Sequence, residues 1–87
     1  MTTDEQWAAI ETAIPCVLED AVALLRDPSL RDLAKERFLA NAETFGDSWL
    51  SRDLDWFTSN AAEEGADLIV YVAMEYVRVA MTGRTSV

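Results

Sequence analysis

Three acidic side chains, Glu63, Glu64 and Asp67, fall within five consecutive positions of the chain. On a helix they lie on neighbouring turns of one face, because residues three and four apart stack on the same side. Carboxylates grouped this way suit a hard cation such as magnesium, which takes oxygen ligands, keeps several waters and is usually shared with a phosphate. Three acids this close repel one another, and a bound cation relieves that repulsion. Glu64 and Asp67 are therefore candidate metal ligands, with Glu63 assisting. Upstream, Arg37 and Asn41 stand one turn apart in the middle of an apolar pattern. In one reading Arg37 lays its stem on the core and its head reaches water. In the other, both point into a polar site between helices. There Arg37 neutralises a phosphate, Asn41 hydrogen-bonds it, and Tyr71 orients a ligand or a water.

The composition narrows the chemistry further. The 87 residues contain no histidine, which removes Ser-His-Asp and Cys-His catalysis and the usual zinc sites. Cys16 is the single cysteine, so no intrachain disulfide forms, and a reducing, cytoplasmic setting is expected. Its apolar surroundings predict a buried structural thiol. Sixteen acidic residues against seven basic give a net charge of −9. With no basic patch, direct binding to a DNA or RNA backbone is disfavoured. An acidic surface suits metal ions, a basic protein partner or plain solubility. The N-terminus is acidic rather than basic-then-apolar, and Leu68 to Met74, the longest apolar run, is far short of a membrane span. No membrane association is expected.

The elements that position these residues are helical throughout. One domain, residues 1–87, is expected from the length. Thr3-Asp4-Glu5-Gln6 reads as a capping box that opens a first helix over about 4–26. Its apolar positions, from Trp7 and Ile10 through Val17 to Leu25, hold one phase through Pro15, which predicts a single helix kinked there. Two helices with Pro15 at the start of the second are the alternative. Ser29 with Asp32 is expected to cap a second helix over 29–45, and Gly46 to stop it. Residues 46–52 form a connector, in which Trp49 is expected to plug the end of the bundle. A third helix is expected over 53–82, ending before Gly83, with a possible break at Ser59-Asn60 that would make four helices. The fold class is all-α, with three to four antiparallel helices.

The last helix carries an unusual pattern. At about 100° per residue, Asn60, Glu63, Glu64, Asp67, Tyr71, Glu75 and Arg78 share an arc of about 120°, joined only by Met74 among aliphatic residues. The remaining two-thirds of the circumference is apolar, where a surface helix needs a stripe a little over 100° wide. Two other helices of the same chain cover part of that surface. A second copy covering the rest is the simplest completion, so a homo-oligomer is expected, a dimer in the first instance. The polar strip is either a solvated face or the lining of a cleft between helices.

The segment Glu63-Glu64-Gly65-Ala66-Asp67-Leu68-Ile69-Val70-Tyr71 resembles part of the MazG-like all-α nucleotide pyrophosphohydrolases. Glu64-Gly65-Ala66-Asp67 matches that group's Glu-x-x-Asp motif, which is followed by an apolar run often containing a tyrosine. Gly46-Asp47-Ser48-Trp49 with Arg52-Asp53 is similar to the helix connection of its small phage-type and actinobacterial relatives. The resemblance implies antiparallel helices in a dimer, a magnesium site and a nucleotide ligand. In that group the site draws four carboxylates from two helices, one helix carrying Glu-Glu-x-x-Glu. This chain has no such upstream motif. A magnesium-dependent nucleotide-binding site degenerate in catalysis is therefore expected, with the catalytic residues unassigned. The competing expectation is a non-enzymatic protein of phage or bacterial type. It would inhibit or mask a basic partner through its acidic helical surface.

Overall fold

The computed structural model describes residues 1–82, with α1 (Thr3–Arg26), α2 (Pro28–Phe45), a 3₁₀ turn (Ser48–Ser51) and α3 (Leu54–Thr82). The all-α class stands, and no strand occurs among the described residues. The Gly83 stop expected for the last helix lies outside the described residues.

Local chemistry sets each boundary, and it moves two of them. The capping box opens α1 one residue earlier than Thr3-Gln6. The Thr2 hydroxyl accepts from the Glu5 N–H at 3.1 Å, and Glu5 Oε1 accepts from the Thr2 N–H at 2.9 Å. A carboxylate at the third helical position is a stronger acceptor than an amide and also faces the positive end of the helix dipole. Gln6 instead donates its amide to the Met1 carbonyl at 3.2 Å. At the next junction Asp27, not Ser29, is the cap. Its Oδ1 accepts from the Ser29 N–H at 2.9 Å and the Ser29 hydroxyl at 2.8 Å. That leaves Pro28 at the first helical turn, where its missing N–H has no partner to lose.

These two exposed caps make stability sensitive to acid. The Glu5 carboxyl titrates below the ordinary range because the Thr2 backbone N–H, and then its hydroxyl, bind the charged form. Asp27 is lowered likewise by the Ser29 backbone N–H and then its hydroxyl. Both folded-state values lie below the unfolded ones. Their contribution is therefore complete above the unfolded values, about 3.9 for Asp and 4.3 for Glu. It is lost as pH falls through the lower folded-state values. The melting temperature is expected to decline below about pH 4, and Asp27→Asn to flatten that decline. A profile identical in the variant would show that this cap contributes nothing.

Pro15 lies inside an unbroken α1, so the two-helix alternative is excluded. α3 is unbroken as well. Asn60 caps nothing and donates its side-chain amide to the Trp56 carbonyl at 2.7 Å. Asp53 provides the cap instead, accepting from the Trp56 N–H at 2.8 Å. Gly46 ends α2 with φ 59° and its N–H on the Ala42 carbonyl, a conformation that glycine adopts without strain.

Packing is concentrated between α1 and α3. Ala8, Ala9 and Thr12 lie beside Ala80 and Met81, and Val17 beside Val72, so the two helices run antiparallel. Ala13, Val17 and Ala73 form the buried centre, with Ile10, Ile14, Val72 and Val77 packed around it. Small residues at the crossing let the helices approach closely, and only one layer of larger side chains is enclosed. Cys16 is exposed, contrary to the buried thiol expected from its neighbours. The core line of α1 runs through Ala13, Val17 and Ala21, and no other helix among the described residues covers the Cys16 flank.

α2 buries none of its residues. The radius of gyration is 16.8 Å, against about 12 Å for a compact domain of this length. The accessible surface is 7358 Å², against about 5,100 Å² for a compact monomer of this mass. The described residues form an antiparallel helix pair from which α2 stands off. No helix of the described residues is long and apolar enough to cross a membrane.

Candidate functional site

α3 presents its polar strip as the sequence pattern predicts. Glu63, Glu64, Asp67, Tyr71, Glu75 and Arg78 are all exposed, while Leu68, Ile69, Val70, Val72 and Val77 turn inward and Ala73 is fully buried. Asp53 caps its start, and the C-terminal half packs on α1. Glu64 and Asp67 stand one turn apart on this continuous helix, with Tyr71 (70% exposed) one turn further on. Among the described residues, no three Asp, Glu, Cys or His side chains converge closely enough to hold a metal ion. By the angular count Glu63 lies about 40° and Glu64 about 60° around the helix from Asp67, so all three share one face without closing into a cage, and the pair carried forward is the Glu64 and Asp67 of the Glu-x-x-Asp spacing. A pair is compatible with magnesium, which is commonly held by one or two carboxylates, several waters and a phosphate of its ligand.

The two α2 residues separate. Asn41 lines a cleft between the end of α2, the 3₁₀ turn and the start of α3. Arg37 is exposed and does not line that cleft. The cation beside Asn41 is Arg52, whose guanidinium lies 5.0 Å from the centre of the Trp56 ring, within cation–π range. Sequence reasoning placed Arg52 only in a connector. Arg52 is extended and precedes α3, so no helical spacing in the sequence signals this pairing.

The cleft has a volume of ≈ 580 Å³ and is walled by Phe38, Phe45, Trp49, Trp56 and Phe57. Trp56 and Phe57 meet edge to face, with centroids 5.2 Å apart and planes at 90°. Trp49 does not plug a bundle end. It is 44% exposed and forms one wall. By the helical count Trp56, Phe57, Asn60, Glu64 and Asp67 follow one another along the same face of α3. The aromatic slot and the carboxylate pair are thus successive stretches of one surface, about 16 Å from Trp56 to Asp67. Comparison with models of known protein families, with curated proteins and with solved structures returns no match.

Proposed function

We propose that the protein is an acidic helical homo-oligomer, a dimer in its simplest form. In this reading it binds a nucleotide through magnesium held at Glu64 and Asp67 and is degenerate in catalysis. The reading is supported most by one observation: the two carboxylates matching the MazG-like Glu-x-x-Asp motif stand one turn apart, exposed, on one unbroken helix whose C-terminal half packs on α1. Magnesium, when bound there, supplies positive charge against the phosphates. Glu63 adds negative charge beside the pair, and Tyr71 offers a hydroxyl one turn along. Arg37 is one of three exposed cations on α2, with Arg31 and Lys35, available to a phosphate, and Asn41 offers an amide in the cleft beside Arg52. No general base or nucleophile accompanies the pair, which is why binding rather than turnover is proposed. The exposed free thiol of Cys16 fits a reducing, cytoplasmic setting.

Thermal unfolding with magnesium and a panel of nucleoside triphosphates tests this reading. A ligand at a hundred times its Kd adds about 2.7 kcal/mol of stability, which raises the melting temperature of a chain this size by about 10–20 °C. The rise is expected to need magnesium, to vanish in Asp67→Ala and to persist in Asp32→Ala on α2. No rise with any nucleotide removes the reading. A second reading is then favoured by the net charge of −9 and the fully exposed acidic strip: an acidic surface that docks a basic protein partner, with an affinity that falls as salt rises.

A further inference from the structure

We infer that the aromatic slot between α2 and α3 is the seat of a second copy of this chain, so that the hooks formed by α2, the 3₁₀ turn and the start of α3 interlock in the dimer. The inference rests on the oligomeric part of the function proposed above and adds which surface makes it. Three observations carry it.

First, α2 has no buried residue, yet it is an 18-residue helix. Most helical stability in proteins comes from packing an apolar face rather than from propensity. Phe38 and Phe45, on the slot side of α2, are 54% and 65% exposed. The described residues provide no full cover for this face of α2.

Second, the area is right. The protomer exposes about 2,000 Å² more than a compact monomer of its mass. Obligate homodimers bury about 1,000–2,500 Å² per partner. A small ligand in a cleft of ≈ 580 Å³ covers only a fraction of that excess.

Third, the charge selects the occupant. The chain has sixteen acidic residues, yet no carboxylate lines the slot, and its one charged group is the Arg52 cation. A basic partner is repelled there. A second copy brings apolar surface together with carboxylates of its own hook, among them Glu43, Asp47 and Asp53, to Arg52. Aromatic side chains with an arginine and no acids are the composition of an interface centre. In a two-fold dimer each slot receives the other hook by the same contacts. The carboxylate pair at Glu64 and Asp67 continues the slot face, so the partner also forms the wall beside it.

The test is light scattering combined with hydrogen exchange on the full-length protein. The expected result is a dimer in which the α2 amides exchange at least about tenfold more slowly than on dilution to monomer. The Trp7→Phe protein, in which only Trp49 and Trp56 emit, is expected to be shielded from aqueous quenchers until it dissociates. Phe45→Glu is expected to be monomeric. A dimer whose α2 exchanges freely and whose Trp49 and Trp56 are open to quencher overturns the inference and leaves the oligomer standing. A monomer at all concentrations overturns both. Nucleotide-dependent stabilisation is read separately by melting, so a failure of the slot is distinguishable from a failure of the ligand site.

Discussion

Val17→Asp is expected to abolish folding, read as loss of the helical circular dichroism signal at a protein concentration where the parent is fully helical. Val17 is 1% exposed and is the largest fully buried side chain among the described residues. It lies between Ala13 and Ala73, with Ile10, Ile14, Val72 and Val77 around it. No buried polar or charged residue is present among the described residues to partner a new carboxylate. Burying an unpaired charge costs several kcal/mol. A chain of this length holds about 4–13 kcal/mol in total. The milder Val17→Ala removes two methyl groups and is expected to cost about 2 kcal/mol. Met74→Ala, on the polar strip of the same helix, is expected to change stability by less than about 0.5 kcal/mol. A cooperative melt in Val17→Asp would show that the α1–α3 crossing is not the core.

The second large effect is a dependence of stability on protein concentration. A protomer with so little enclosed surface has few interactions to hold it alone, and folding and association are then linked. Each tenfold dilution of a dimer withdraws about 1.4 kcal/mol, which corresponds to a fall of a few °C in melting temperature for an assembly of this size. The signal at fixed temperature is also expected to weaken at the lowest concentrations, α2 first, because it buries nothing in its own chain. Coincident melting curves across two or more decades of concentration would contradict an obligate assembly.

The sequence carried most of the local structure and little of the tertiary arrangement. The α3 strip was legible because a 3.6-residue period over a long helix fixes which side chains share a face. The unbroken α1 was legible for the same reason, since its apolar phase does not jump at Pro15. Helix starts moved by one residue where two candidate caps stood side by side. Thr2 with Glu5 and Asp27 with Pro28 prevailed because a carboxylate acceptor, or a proline at the first turn, satisfies the helix end better. Cys16, Arg37 and Trp49 were not legible, because the exposure of each depends on where α2 lies relative to the other helices. Arg37 and Asn41 share a helix face by spacing, yet Asn41 lines the slot and Arg37 does not. The pairing of Arg52 with Trp56 depends on the turn between α2 and α3, whose path periodicity does not encode.

Calorimetric titration of a magnesium–nucleoside triphosphate into the protein tests the central claim most directly. The expected result is a saturable heat that disappears when magnesium is chelated and when Asp67 is replaced by Asn, with the oligomeric state and helix content unchanged in the variant. Absence of heat for every nucleotide, or binding that persists equally without magnesium and in Asp67→Asn, would contradict a magnesium-held nucleotide at Glu64 and Asp67.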